Sequence, residues 1–217
     1  ADYAKLDEEK RQRFFHKILR NVERLSALVE DLLSLSRLEA GHTALNLTQV
    51  DIKALIQTIL EDYRERVGEG PDPFESSLPD EQVYLRADPM QIGQILRNLL
   101  DNAIRYAETY TFIRVSVRVT GDQKFVSIEV EDDGVGVSRQ DTDRIFQRFY
   151  RVDKGRSRDK GGTGLGLSIV KHAVQLHGGR VEAFSFPGRG LRVTCRFPFN
   201  RGTLTDSLSE TPKTPQS

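Results

Sequence analysis

Between about Asp7 and Ala40, the apolar residues Ile18, Val22, Leu25, Val29 and Leu32 recur in alternating steps of four and three. That spacing predicts one long amphipathic helix with a coiled-coil or bundle seam. Phe15, Leu19, Leu28, Leu35 and Leu38 widen the stripe, which suits a helix bundle better than a two-stranded coil. Gly41 is placed to end the helix as a C-cap. Burial of five such side chains contributes on the order of 8–15 kcal/mol, so the helix is expected to need a partner.

From Leu45 the period changes. Leu45 and Leu47 suggest a short strand, and Asp51 is positioned to N-cap a helix running toward Val67. Gly68 to Asp80 holds two glycines and three prolines and reads as loop. A short strand is expected around Val83 to Leu85. Asp88-Pro89 then opens a helix whose buried stripe is Ile92, Ile95, Leu96, Leu99, Leu100, Ala103 and Ile104. Alternation over Ile113–Val119 and Val126–Val130, around Gly121-Asp122, predicts a hairpin packed on one face. Ser138 with Asp141 resembles a capping-box start for a short helix. A further helix is expected over Ser168 to His177, and two strands around Gly188-Arg189-Gly190. The tail from Gly202, rich in Ser, Thr and Pro, is expected to be disordered. The sum is an α+β domain, a mixed sheet covered on one face by helices, preceded by one bundle helix. The expected divisions are 1–41, 45–200 and 201–217.

Composition narrows the function classes. With 37% hydrophobic and 29% charged residues over 217 positions, the chain reads as soluble and globular. A net charge of zero gives no overall electrostatic support for a nucleic-acid partner. The local exception is Arg148 to Lys160, where six cations against two acids leave +4 beside a glycine cluster. One cysteine, Cys195, excludes an internal disulfide and falls on the inward positions of a half-buried strand. No apolar run has the length of a membrane span. The expectation is a cytoplasmic piece of a longer parent, with any membrane attachment supplied by segments outside it.

Four motifs carry candidate chemistry. Asn98 and Asn102 lie one helical turn apart, on one face, and an amide oxygen can ligate Mg²⁺ without adding charge. Arg105, three residues on, can reach the same phosphates. Asp132 ends a strand before Gly134 and Gly136; a carboxylate there can accept from the exocyclic amine of adenine while the glycines let backbone approach a flat base. Ile145-Phe146-Gln147-Arg148-Phe149-Tyr150-Arg151 mixes aromatics with cations. Gly162-Thr163-Gly164-Leu165-Gly166-Leu167 precedes a helix, and such a loop presents backbone amides to an anion. It lacks the Lys-Ser/Thr ending of a P-loop, and no βαβ unit surrounds it. Taken singly, each has an ordinary reading: a polar helix edge, an Asp-Gly turn, a buried aromatic cluster.

In this order and spacing the motifs closely resemble the N, G1, F and G2 boxes of sensor histidine kinases. The text Ile18 to Ser26 and Asp31 to Gly41 resembles the second helix of that family's dimerisation and phosphotransfer bundle. The resemblance runs from about residue 10 to 199. It implies a Bergerat ATP-binding fold with ATP and Mg²⁺ as ligands. It further implies Asn102 as metal ligand with Asn98 in support, Arg105 and Tyr106 near phosphates or sugar, and Asp132 on adenine beside Gly134 and Gly136. Arg151 would approach the γ-phosphate, Arg148 to Thr163 would form a lid, and Gly162, Thr163, Gly164, Leu165, Gly166 and Leu167 would hold phosphates. Asn98, Arg105 and Arg151 are the residues it implicates in transfer. One departure is Leu191, where members often carry Thr or Ser. The implied partners are a response-regulator receiver domain and, in the intact parent, a second copy of the chain.

Transfer to histidine needs an imidazole nucleophile in line with the γ-phosphate. In the family it opens a Ser-His-Glu-Leu-Arg-Thr-Pro type motif on the first bundle helix. None of His16, His42, His172 and His177 has that context, so the acceptor helix is expected upstream and the chain alone is not expected to autophosphorylate. Two rivals stand beside this reading. An ATPase of the same fold would place Glu one turn before the metal-binding Asn, as general base for water; Asn98 stands there and cannot take a proton. A non-catalytic nucleotide-binding module remains open.

Overall fold

The computed structural model describes residues 8–39, 45–68, 70–106, 112–152, 162–185 and 187–199. Gly41, His42, the tail from Gly202 and the basic segment from Asp153 to Gly161 lie outside the described residues. The first helix, α1 (Glu8–Glu39), has 32 residues. Its seam residues Ile18, Val22, Leu25, Val29 and Leu32 are exposed, so the stripe that the periodicity marks out is uncovered in the single chain. The side chains of Leu35 and Leu38 lie outside the described set.

Strand β1 (Thr48–Asp51) leads straight into α2 (Ile52–Val67). Asp51 Oδ1 accepts from the Ala54 amide at 3.1 Å, satisfying a donor the first turn cannot satisfy itself. Gly68, with φ of 75°, closes the helix by donating to Arg64 O. Strands β2 (Phe74–Ser77) and β3 (Tyr84–Ala87) follow, then α3 (Pro89–Tyr106). Asp88 caps α3: its Oδ1 accepts from Met90 N at 3.0 Å and Gln91 N at 3.2 Å. The stripe from Ile92 to Ala103 is buried as its spacing requires, and this leaves Asn98, Asn102, Arg105 and Tyr106 half-buried on another face.

The hairpin β4 (Ile113–Val119) and β5 (Phe125–Asp132) is followed by turns and a 3₁₀ turn, Arg144–Phe146. Helix α4 (Gly166–Leu176) then precedes β6 (Arg180–Ser185) and β7 (Leu191–Pro198). The main sheet runs β2-β4-β5-β7-β6, with β2 parallel to β4 and every other pair antiparallel. A separate two-stranded sheet pairs β1 with β3. Val115, Val117, Val126, Ile128, Val130, Val193, Cys195 and Phe197 face the helices and form the core with α2, α3 and α4. Burial pushes the Cys195 thiol up to about 12, which keeps it protonated and unreactive at neutral pH. The opposite sheet face carries an ion ladder across four strands: Glu75–Arg114 at 2.8 Å, Arg114–Glu131 at 3.6 Å and Arg192–Glu131 at 2.6 Å. This is the α+β sheet with helices on one face that the alternation implies.

Three local expectations change. The stretch Gly68 to Asp80 contains β2: Pro73 O accepts from Ile113 N and the Phe74 ring packs edge-on against Tyr63. Its other residues, Glu75, Ser76 and Ser77, are exposed on a sheet edge and leave no apolar alternation to read. The strand expected at Leu45 and Leu47 begins only at Thr48, just after them. Ser138 does not start an α-helix; its hydroxyl donates to Asp141 Oδ2 at 2.7 Å and a turn follows.

Candidate functional site

The polar face of α3 and the glycine loop before α4 meet directly. A Cβ on Gly166 would stand 3.1 Å from Asn98 Oδ1. One on Gly162 would stand 2.9 Å from Tyr106 Oη and 3.1 Å from Arg105 Nη1. The loop therefore has glycine where the α3 side chains press against it. Gly164, with φ of 75°, would bring a Cβ to 3.0 Å of Phe149 Cα, and Phe149 N donates to Gly164 O at 2.9 Å. Thr163 Oγ1 accepts from Leu165 N at 3.1 Å and turns the loop into the first turn of α4. Leu165 is buried, while Leu167 is half-buried against the main core. Asn102 sits half-buried one turn beyond Asn98 on the same helix.

Replacing Gly162 by alanine forces the flexible ends of Arg105 and Tyr106 aside rather than any backbone. The expected result is a loss of less than about 1 kcal/mol of stability. The resemblance that puts phosphates on this loop implies a fall in nucleotide affinity of about ten-fold, a cost of about 1.4 kcal/mol. Urea unfolding and calorimetric titration of the same sample separate the two.

Asp132 ends β5 and is only 6% exposed. Its Oδ1 accepts from Gly134 N at 2.9 Å, and the Leu191 amide also donates to the carboxylate. Burial outweighs those donors and pushes its pKa up to about 6. The loop after it is braced by the β6–β7 turn. Gly190 N donates to Gly134 O at 2.9 Å, and Gly188 N to Val135 O at 2.7 Å. Ser185 Oγ accepts from Val137 N at 2.8 Å while donating to Gly190 O at 2.5 Å. Gly136 takes φ of 66°, a region open to glycine at little cost. Leu191 inserts its side chain into the core and uses its amide on Asp132, so the position works through backbone. The direct neighbours of Asp132 are thus β-turn backbone, whereas those of Asn98, Arg105 and Tyr106 are the glycine loop; α3, packed on β5, joins the two groups.

The aromatic segment is pinned at one end. Phe146 and Ile145 are buried in the core. Tyr150 Oη donates to Asp141 Oδ1 at 2.5 Å and the Arg144 guanidinium stacks 4.4 Å from the Tyr150 ring centroid. Those hydrogen bonds hold the Asp141 carboxyl below the usual range. Phe149 is exposed with φ of 59°, and Arg151 is half-buried at the segment's end.

Sequence reasoning missed three contacts. Asp31 of α1 accepts from Thr163 Oγ1 at 2.7 Å, across 132 residues of chain. Ser185 carried no motif. His177 accepts from Asp88 N at its Nε2, 3.0 Å away, and its Nδ1 lies 2.8 Å from Ala173 O. That pattern makes the ring a neutral Nδ1–H tautomer tying the end of α4 to the start of α3, and takes both nitrogens out of use. Among the described residues no group of three or more His, Cys, Asp and Glu side chains is arranged to hold a metal. No helix among them is long and apolar enough to cross a membrane.

Residues 87–201 match the family described as histidine kinase-, DNA gyrase B-, and HSP90-like ATPase, and residues 2–41 match the His Kinase A (phospho-acceptor) domain. The chain belongs to the histidine kinase-, DNA gyrase B-, and HSP90-like ATPase family, in its sensor histidine kinase branch. It is 36% identical over 187 residues to the sensor histidine kinase WalK of Bacillus subtilis, covering 86% of this chain and 30% of that protein. The chain therefore spans less than a third of that curated relative. The solved histidine kinase AdeS of Acinetobacter baumannii superposes with a TM-score of 0.70 at 29% identity, covering 90% of this chain and 87% of AdeS. Full-length ShkA in complex with AMPPNP gives a TM-score of 0.69 at 30% identity, covering 90% of this chain and 40% of ShkA.

Proposed function

We propose that this chain is the ATP-binding catalytic portion of a sensor histidine protein kinase. It moves the γ-phosphoryl group of ATP to a histidine on a bundle helix, for relay to a response-regulator aspartate. The observation that carries the reading is the direct packing of Asn98, Arg105 and Tyr106 on Gly162 and Gly166. A helix face of amides and a cation against a glycine loop is a place for phosphates and a metal together. Residues 1–41 supply the second helix of the bundle, 45–200 the catalytic domain, and 201–217 a tail.

Asp132 accepts from the adenine amine, with Gly134 and Gly136 leaving room for the ring. Arg105, Tyr106 and the loop amides of Gly162 to Leu167 take the phosphates, and Arg151 approaches the γ-phosphate from the aromatic segment. Asn102, supported by Asn98, would hold Mg²⁺. Two neutral amide oxygens would leave the remaining coordination of the ion to phosphates and water. Held by those amides, Mg²⁺ would supply charge neutralisation for the transferring phosphoryl group. Asn98 stands where a hydrolase needs a base, so the bound nucleotide is held for a nucleophile other than water. None of the described histidines, His16, His172 and His177, has the sequence context of the acceptor, and His177 has both nitrogens engaged. A receiver domain and a second copy of the chain are the partners, the latter through the uncovered seam of α1.

Incubation with Mg²⁺ and γ-labelled ATP tests the reading. The chain is expected to bind the nucleotide and carry no acid-labile phosphate. Label is expected to appear on an added bundle that includes the acceptor histidine. Failure to bind Mg-ATP, or stoichiometric label on this chain alone, contradicts it.

A further inference from the structure

The contact between α1 and the glycine loop has two parts on one helix face. Leu28 packs against Leu165 and Ile169, and Asp31, three residues on, accepts from the Thr163 hydroxyl at 2.7 Å. Thr163 Oγ1 also accepts from Leu165 N at 3.1 Å, so its single proton is committed to Asp31. Gly166 begins α4 immediately behind, and a helix start favours negative charge beside it. A carboxylate from α1 therefore stands beside the glycine loop and the start of α4. Among the described side chains, the other large apolar residues of α1, including Val22, Leu25 and Val29, are exposed.

We propose that Asp31 is an anionic plug: while it engages Thr163 it opposes entry of the nucleotide's phosphates, and bound phosphates push α1 off the loop. This rests on the nucleotide site argued above and adds a direct, negative coupling between bundle helix and phosphate loop. Two like charges held beside one loop repel, so each weakens the hold of the other. Reciprocity follows from linkage: whatever factor Asp31 removes from nucleotide affinity, nucleotide removes from the α1 contact.

Asp31→Asn keeps an oxygen for Thr163 and removes the charge; Asp31→Ala removes both. Calorimetric titration of the full chain with Mg-ATP, at about 0.05 M and 0.5 M salt, reads the effect. At low salt Asp31→Asn is expected to bind about five-fold tighter than wild type, the lower end of ordinary site–site couplings. Asp31→Ala binds at least as tightly. The advantage shrinks at high salt, because it is electrostatic and partly exposed to solvent. Hydrogen exchange around residues 28–33 is expected to quicken on adding Mg-ATP to wild type and to change less in Asp31→Asn. Unchanged or weaker affinity in both variants, while wild type binds normally, overturns the plug and leaves the nucleotide site standing. No binding by wild type or either variant overturns the nucleotide site and the plug with it.

Discussion

Replacing Asp132 by alanine is expected to lower Mg-ATP affinity on the order of 100-fold, the worth of one buried charge-assisted hydrogen bond. The reason to expect so large a loss is that the carboxylate is not there for stability. It is 6% exposed and raised to about 6 by burial, so the folded chain holds it ionised at a cost. The sign follows from proton binding. Below the ordinary carboxylate range both folded and unfolded chains are protonated and no penalty exists. As pH rises toward 6 the unfolded chain releases its proton first, and stability falls. Above 6 the penalty is complete, at about 3 kcal/mol for a shift of about two units. Asp132→Asn keeps an acceptor for the Gly134 amide and cannot titrate. Its stability relative to wild type is therefore expected to rise between pH 4.5 and pH 8, read from urea unfolding at both. Adenosine affinity, free of phosphate titration, is expected to fall in wild type as pH drops through 6 and to stay flat in Asp132→Asn. A variant that loses stability at pH 8 would mark the carboxylate as structural.

Gly190→Ala is expected to be the most damaging single methyl in the domain. Its Cβ would lie 1.7 Å from Asp132 O, 2.6 Å from Asp132 C and 2.8 Å from Asp133 Cα. All three are backbone atoms, and φ of 75° adds strain of its own. No rotamer change relieves such an overlap, so the β5 end and the β6–β7 turn must separate. A cost above about 4 kcal/mol is expected, a large share of an ordinary domain's stability. Gly188→Ala is the control, since φ there is 71° but nothing lies within 4 Å of the added methyl. It is expected to cost about 1 kcal/mol. Equal denaturation midpoints for the two variants would show that the turn does not clamp the Asp132 loop.

Local periodicity made the core legible. The α3 stripe and the alternation in β4, β5 and β7 follow directly from side-chain direction, and they leave Asn98 and Asn102 facing together. The glycines of the loop were readable as loop, but why they must be glycine was not: Tyr106, Arg105 and Asn98 arrive from α3, some sixty residues earlier. Strand β2 stayed hidden because an edge strand with exposed Glu and Ser has no hydrophobic signature; parallel pairing with β4 decides it. Asp31 entered the sequence reading only as the start of a stretch resembling a bundle helix, and the folded chain sets it on Thr163. Ser185 bridges Val137 and Gly190 through a single hydroxyl, a role no spacing encodes.

The α3 face, the glycine loop and the Asp132 turn are expected to serve one nucleotide together. Amide NMR of the full chain during a Mg-ATP titration tests it directly. The signals of Gly134, Gly162, Gly164 and Gly166 are expected to shift together and saturate with one dissociation constant, and to stay still in Asp132→Ala at the same concentrations. Shifts confined to one group, or two groups saturating at different concentrations, would contradict the account.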